Sequence, residues 1–333
     1  MRYYAHVVQA DGTSDANEQV GPTFCPEFEY KTYPASMRPC ELKRVESYPM
    51  TPDGFGHALV PAMLDKPRML IVDTGGARST LYESTVREMG LSPDDAKDVG
   101  RKSHYSSGDI VSFSGKVLDK VVTAPLLSLG VLQFQNPTFS VEAGSAPVSA
   151  GFSQAEGSLG PSHLMTFDVE LDFGSKTLNL YLQHHCWDHV VYWAKDYAVV
   201  PFTISPEGHI EFTIALDGKP LKAVLDTGAP ISSIDGKVAH DVFGISLPAE
   251  TTPAQAAPSA EAVQMLGYHR FTKMTFGKAQ FDAPDFAITP DLMGSQSNTA
   301  APQAILGLRE ISAFHIFIAW TERRMYVTLA GAH

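Results

Sequence analysis

Two copies of the tripeptide Asp-Thr-Gly carry the residues most able to do chemistry, at Asp73-Thr74-Gly75 and Asp226-Thr227-Gly228. Each copy follows an apolar run, which predicts a carboxylate in a tight turn at the end of a buried strand. One such tripeptide suits many turns and says little about function. Two carboxylates at one site cannot both ionise readily, so they share a proton. The ionised group can then deprotonate water while the protonated group donates to a carbonyl oxygen, which is the general base and acid that amide hydrolysis needs.

The sequence around both tripeptides is duplicated. The two aspartates are 153 residues apart, and so are Lys66 and Lys219, which precede them. Further along, Ser158-Leu159-Gly160 and Ile305-Leu306-Gly307 are 147 residues apart. Two matched blocks in the same order, at nearly the same offset, indicate a duplicated lobe.

Each repeat is predicted to consist mainly of strands. Residues from His209 to Leu216 alternate between apolar and polar, which is typical of a half-buried strand. Asp217-Gly218 predicts a hairpin before the apolar run that enters the second Asp-Thr-Gly. Short helices are expected over Ser84–Gly90 and Asp235–Phe243. Further strands are expected within 117–131, 139–141, 271–276 and 281–288.

Paired in this context, the two motifs resemble those of the pepsin/retropepsin clan of aspartic proteases. The chain looks most like bacterial single-chain members with two retropepsin-like repeats. The resemblance implies a mostly β, bilobal, pepsin-like fold, with duplicated retropepsin-like β-barrel lobes, short helices and a cleft between the lobes. It divides the chain into an N-terminal extension (1–45), an N-terminal lobe (46–182), an interlobe linker (183–200) and a C-terminal lobe (201–333).

The resemblance also implies a role for each motif residue. Asp73 and Asp226 would form the catalytic dyad, and either could carry the shared proton. Thr74 and Thr227 would bond across the lobe interface. Gly75 and Gly228 would bring backbone N–H groups close to the carboxylates. The hydrophobic-Gly motifs would pack beneath these loops in a structural role, at Leu159, Gly160, Leu306 and Gly307.

The sequence departs from pepsin directly after each Asp-Thr-Gly. Pepsin-like enzymes usually have Ser or Thr there, whereas this chain has Gly76 and Ala229, as retropepsins often do. Fewer donors would then stabilise the anion, so the pair is expected to titrate higher than in pepsin. An inward-pointing Arg78 would reverse this effect, although a surface position is the simpler expectation. Arg309, another unusual residue, is expected to be structural.

The flap that would close over a substrate is less well defined. Tyr105, within Ser103–Gly108, is the candidate in the first repeat, and Tyr268, after Leu266-Gly267, is its counterpart. Either tyrosine could simply be a surface strand residue.

Composition excludes several classes of protein. The 333 residues carry a formal net charge of −12 without a Lys/Arg-rich run, which argues against nucleic-acid binding. No apolar stretch is long enough to span a membrane. The run His184–His189 looks metal-like, but a linker with water-facing histidines is the simpler interpretation, so neither a metal nor a cofactor is expected.

Among the three cysteines, Cys25 and Cys40 could pair and leave Cys186 odd, or all could be buried thiols.

The leading hypothesis is a monomeric aspartic endopeptidase that acts on a peptide or protein substrate. The alternatives are a catalytically silent relative that binds a peptide or partner in the cleft, and a structural protein whose cleft is filled by residues 1–45. Those residues could also be an inhibitory propeptide or an extension that wraps the lobes. The family resemblance favours a periplasmic or secreted location, the N-terminus shows no signal peptide, and a cytoplasmic location is the alternative.

Overall fold

The computed structural model of the chain describes residues 5–7, 41–95, 118–246, 265–290, 292 and 301–331. Within these ranges, strands dominate and form three sheets, with four short helices between them. None of those helices is long and apolar enough to cross a membrane. The mostly β prediction is therefore confirmed.

The first sheet forms the N-terminal lobe and contains eleven strands among the described residues. Its order is β1-β10-β9-β4-β5-β12-β6-β11-β8-β7, with β3 paired to β4. The strands are β1 Ala5–Val7, β3 Thr51–Pro52, β4 Ala58–Met63, β5 Pro67–Val72, β6 Thr80–Tyr82, β7 Asp94–Asp95, β8 Lys120–Thr123, β9 Leu126–Leu129, β10 Leu132–Gln135, β11 Thr138–Glu142 and β12 Gly157–Leu159.

The second sheet forms the C-terminal lobe, with nine strands in the described ranges. Its order is β20-β23-β19-β24-β18-β17-β21-β22, with β16 paired to β17. The strands are β16 Thr203–Ile204, β17 Ile210–Leu216, β18 Lys219–Leu225, β19 Ser232–Asp235, β20 Gly267–Arg270, β21 Lys273–Phe276, β22 Ala279–Asp282, β23 Asp285–Thr289 and β24 Ala304–Leu306.

The third sheet joins the two halves of the chain. It runs in the order β15-β26-β25-β13-β14-β2, so that three strands of each half lie side by side. The join is the antiparallel pair β13 and β25, in which Val169 is opposite Ile318. The strands are β2 Arg44–Pro49, β13 Asp168–Asp172, β14 Thr177–Tyr181, β15 Ala198–Pro201, β25 Phe314–Ala319 and β26 Arg324–Leu329.

The helices are short and follow strands. The longest, Gly236–Phe243, starts where the Asp235 carboxylate accepts the N–H groups of Lys237 and Val238. It ends at Gly244, whose left-handed backbone suits glycine. The other helices are Glu83–Glu88, Pro161–Leu164 and Leu308–Ile311.

Corresponding strands of the two lobes pair in the same way, as the duplication predicts. In each lobe a hairpin, β4-β5 or β17-β18, enters the Asp-Thr-Gly turn. The strand of the hydrophobic-Gly motif then runs parallel to the second hairpin strand: Ser158 pairs with Ile71, and Ile305 pairs with Val224. The alternation predicted for the strand ending at Leu216 is also present, with every second residue buried.

Three sequence-based expectations need comment. The strand expected over 281–288 is two strands, because Ala283 has a φ of 51° and Pro284 follows it. Cys186 is disulfide-bonded, so it is not the odd thiol left by a Cys25–Cys40 pair. Both of those cysteines lie outside the described residues. The boundaries of the extension, lobes and linker stay a prediction.

Candidate active site

The two Asp-Thr-Gly turns lie at equivalent points of the two lobes. Asp73 follows β5, and its N–H donates to the carbonyl of Leu159 at 3.1 Å. Asp226 follows β18, and its N–H donates to the carbonyl of Leu306 at 3.0 Å. The two hydrophobic-Gly strands therefore set the direction in which each turn leaves its sheet.

Both carboxylates border the same small space. A Cβ added to Gly228 would lie 2.6 Å from Asp73 Oδ1 and 3.2 Å from Asp226 Oδ1. A Cβ added to Gly75 would lie only 2.1 Å from Asp226 Cγ. Only glycine fits at these two positions, because any side chain would overlap the carboxylate of the opposite lobe.

The threonines of the two turns hold the lobes together by four hydrogen bonds. The N–H of Thr74 donates to Thr227 Oγ1 at 3.0 Å, and the N–H of Thr227 donates to Thr74 Oγ1 at 3.1 Å. Each hydroxyl donates in turn to a carbonyl of the opposite lobe, Thr74 to Leu225 at 2.9 Å and Thr227 to Val72 at 2.7 Å. Both threonines are buried, so water does not compete for these hydrogen bonds.

Backbone N–H groups donate to both carboxylates in the same way. Asp73 Oδ1 accepts the N–H groups of Gly75 and Gly76 at 3.1 and 2.7 Å. Asp226 Oδ1 accepts the N–H groups of Gly228 and Ala229 at 2.8 and 3.1 Å. These donors favour the ionised form of each group.

Side-chain partners distinguish the two carboxylates. The Ser158 hydroxyl lies near the Asp73 carboxylate and lowers its pKa, and it also lies 3.0 Å from Thr80 Oγ1. Half-buried His209 adds a favourable electrostatic interaction with Asp73. The residue corresponding to Ser158 in the second lobe is Ile305, which has no hydroxyl to offer. The donor missing after the first Asp-Thr-Gly is thus supplied to Asp73 from a neighbouring strand.

Burial dominates the electrostatics of the pair. Burial, and then the charge of Asp73, raise the pKa of Asp226 to about 8. Burial also raises the pKa of Asp73, although the Gly76 N–H and the Ser158 hydroxyl oppose it. Two such groups retain one proton between them over a wide range of pH. The arrangement can supply one carboxylate as a base and one carboxylic acid as a donor.

A second layer of polar groups anchors each hydrophobic-Gly motif. Ser79 Oγ accepts the N–H of Gly160 at 2.9 Å and lies 2.7 Å from Nδ1 of buried His163. In the second lobe the corresponding serine, Ser232, accepts the N–H of Gly307 at 2.9 Å and donates to the buried carboxyl of Glu310. These serines connect the strand after each Asp-Thr-Gly to the helix beyond the motif.

Sequence reasoning missed this layer and the partners of Asp73. Ser79 and Ser232 are 153 residues apart, the same offset as the aspartates, and that repeat is the signal that could have found them. Ser158 stands where a hydrophobic residue is expected, which is a second signal. The sequence pattern placed His209 only at the start of a predicted strand.

Other sequence-based candidates lie elsewhere. Tyr105 is outside the described residues. Tyr268 lies on β20 at the edge of the second sheet, where its hydroxyl donates to Met265 Sδ rather than to the dyad. Arg78 is not among the groups with the largest effect on the pKa of Asp73 or Asp226.

The metal-like segment has a different role from the one expected. His185 is buried rather than facing water, and its Nε2 bonds the carboxylate of Asp168. In the part of the chain that the structure describes, no three His, Cys, Asp or Glu side chains are arranged to hold a metal ion.

The chain is similar to several known proteins. Residues 211–309 match the aspartyl protease family. An aspartic proteinase from Irpex lacteus covers 86% of this chain and 98% of its own, at 15% identity and a TM-score of 0.49. Basic 7S globulin from soybean covers 86% and 95%, at 14% identity and a TM-score of 0.48. A retropepsin-like aspartic protease from Rickettsia conorii covers 41% and 96%, at 14% identity and a TM-score of 0.30.

A search of curated proteins found no significant match to the sequence. The family match alone extends over the second Asp-Thr-Gly and the second hydrophobic-Gly motif, which indicates a protease-type function. The chain thus has a family match in its second half and a duplicated two-lobed architecture that fits the suspected pepsin/retropepsin clan of aspartic proteases.

Proposed function

We propose that the protein is an aspartic endopeptidase in which Asp73 and Asp226 activate a water molecule between them. The observation that carries the proposal is the shared space beside Gly228, which both carboxylates border. A silent relative would have no need to keep two carboxylates this close together, since their mutual repulsion costs free energy. The intact pair therefore supports the enzyme over the binding protein.

The two carboxylates would divide the chemistry. The Ser158 hydroxyl favours the anion of Asp73, so Asp73 would be the ionised member of the pair and would accept the proton from water. Asp226, whose pKa is raised to about 8, would keep the proton and donate it to the carbonyl oxygen of the substrate. Water then adds to the carbonyl carbon to give a tetrahedral diol. Asp73, which has taken a proton from the water, gives it to the amide nitrogen, and the ionised Asp226 takes a proton from a hydroxyl of the diol. The C–N bond then breaks, which releases an amine and a carboxylic acid and restores one proton on Asp226.

Rigid loops would support this division. The four threonine hydrogen bonds hold the turns against each other, so the carboxylates need little reorganisation on the way to the transition state. An extended peptide would lie in the cleft between the lobes, where it could add backbone hydrogen bonds in the manner of an extra strand.

The test is digestion of a random peptide mixture by the full chain, with and without pepstatin. We expect cleavage that pepstatin inhibits, and loss of cleavage in both Asp73→Asn and Asp226→Asn, because each change removes half of the shared-proton pair. Asp196→Asn, an exposed aspartate remote from the dyad in sequence, is the matched control.

Circular dichroism would verify that each variant keeps its strands. If either Asp73→Asn or Asp226→Asn cleaved as fast as the wild type, the two-carboxylate mechanism would be wrong. If the wild type bound peptides without cleaving any, the silent relative would be the better description.

A further inference from the structure

A cavity of about 880 Å³ opens between the two lobes, beside the turn that carries Asp226. This volume is in the range of sites that hold small ligands or several side chains. One wall is the segment from Met50 to Ala58 of the N-terminal lobe, and the opposite wall includes Pro230 and Ile231. Where the walls approach, a Cβ added to Gly56 would lie 3.3 Å from Pro230 Cβ.

The cavity is tied directly to the proposed catalytic turn. Pro230 and Ile231 are the fourth and fifth residues after Asp226. The N–H of Leu308 donates to the carbonyl of Ala229 at 2.7 Å, and the N–H of Arg309 donates to that of Pro230 at 3.1 Å. A group bound in this cavity would therefore contact the backbone that positions the Asp226 carboxylate.

Two cationic side chains line this cavity. They are exposed Lys176, in the turn between β13 and β14, and half-buried Arg309, just after the second hydrophobic-Gly motif. Among the described residues, no carboxylate forms an ion pair with either side chain. The charge of Arg309 favours the ionised forms of Asp285 and Glu310, but Arg309 makes no ion pair with either carboxylate. Such a pair stands out in a chain whose formal net charge is −12.

The neighbouring acids are already satisfied. Asp53, which is only 5% exposed, accepts the N–H groups of Phe55 and His57 and bonds His57 Nδ1. Asp172 accepts both the N–H and the hydroxyl of Ser175. Both carboxylates remain anionic, but these partners hold them, and neither forms an ion pair with Lys176 or Arg309.

We propose that this interlobe cavity, lined by Lys176 and Arg309, binds a carboxylate of the substrate. The sources of that carboxylate are an aspartate or glutamate side chain and the free end of a peptide. The proposal rests on the proposed function in that it takes the bound chain to be a peptide. It makes the protein selective for acidic peptides, whereas an apolar cavity would select for apolar side chains.

The test uses peptides with blocked ends, in which glutamate replaces glutamine at each position in turn. We expect one position at which glutamate raises kcat/KM about tenfold, the effect of one hydrogen-bonded charge pair. Besides the glutamine and glutamate peptides, a third set carries a free C-terminal carboxylate and only neutral side chains. This set shows whether the cavity binds the end of a peptide or an acidic side chain.

Variants then assign the preference to the cavity. Lys176→Gln and Arg309→Gln should each reduce the Glu/Gln ratio, and the double variant should bring it close to one. Arg309→Glu should favour lysine at the same position, a switch that mere loss of structure would not produce. Lys195→Gln, an exposed cation that does not line the cavity, should leave the ratio unchanged.

Binding to Asp226→Asn separates this proposal from the catalytic one. Calorimetric titration of that variant with the glutamate and glutamine peptides should show the same preference in Kd without any cleavage. Preferential binding by a wild type that cleaves nothing would refute the peptidase and support the cavity. Equal kcat/KM and equal Kd for both peptides at every position, or a preference that survives in the double variant, would overturn the inference.

Discussion

Replacing Thr74 by valine should destabilise the protein strongly. Valine has nearly the same shape but lacks the hydroxyl that donates to the carbonyl of Leu225 and accepts the N–H of Thr227. Two buried backbone groups lose their partners, and each such loss costs about 1–3 kcal/mol. We therefore expect the free energy of unfolding to fall by about 2–6 kcal/mol. Thr227→Val should cost a similar amount, because its hydroxyl makes the mirror-image pair of bonds.

Urea unfolding at neutral pH, followed by tryptophan fluorescence, measures these losses. The variants are made in the Asp226→Asn background so that self-cleavage does not interfere. Thr213→Val, on the exposed side of strand β17, is the matched control and should change stability by less than about 0.5 kcal/mol. Thr74→Ser keeps the hydroxyl and should recover most of the loss.

The reasoning would be refuted if Thr74→Val cost no more than Thr213→Val. It would also be refuted if Thr74→Ser were as destabilising as Thr74→Val, because the methyl group rather than the hydroxyl would then be responsible. A large loss in only one of Thr74→Val and Thr227→Val would show that the two bond sets are not equivalent.

Three further outcomes are expected. Activity requires one proton on the dyad, so kcat/KM should peak at mildly acidic pH, and Ser158→Ala should move the acid limb to higher pH by raising the pKa of Asp73; a peak below about pH 3 would contradict this. Gly75→Ala should lower kcat at least about 100-fold by displacing the opposite carboxylate, whereas Gly90→Ala, whose Cβ meets nothing within 4 Å, should lower stability through its left-handed φ of 66° but keep near-normal turnover. Arg68→Met should lower the free energy of unfolding in urea by about 1–2 kcal/mol, because it removes a buried guanidinium that pairs with three partly exposed carboxylates; an unchanged midpoint would show that packing alone holds this region.

The sequence predicted the parts of the site that depend on local repetition. The two Asp-Thr-Gly turns, their preceding strands and the hydrophobic-Gly motifs keep their spacing in both halves, so the duplicated two-lobed fold follows from the sequence alone. These features are set by residues close together in the chain, which is where sequence patterns are most informative.

The asymmetry of the site could not be predicted in the same way. Ser158 reaches Asp73 because β12 runs parallel to β5, with Ser158 opposite Ile71. That register joins residues far apart in sequence, and a shift of one residue would turn the hydroxyl to the other face. The cationic cavity has the same origin, since Lys176 and Arg309 belong to separate elements that meet only once the lobes have packed.

The sheet that joins the two halves has a consequence for the way the protein is made. Strand β13 cannot pair with β25 until synthesis has passed Ile318, which is opposite Val169 and 149 residues beyond it. At about 5–20 residues per second, the edge of β13 stays open for about 7–30 s after it leaves the ribosome. An unpaired strand edge is a template for pairing with other chains. All six residues of β25 are buried in the finished sheet, so a nascent chain that stalled before this strand would expose the surface that β25 normally covers.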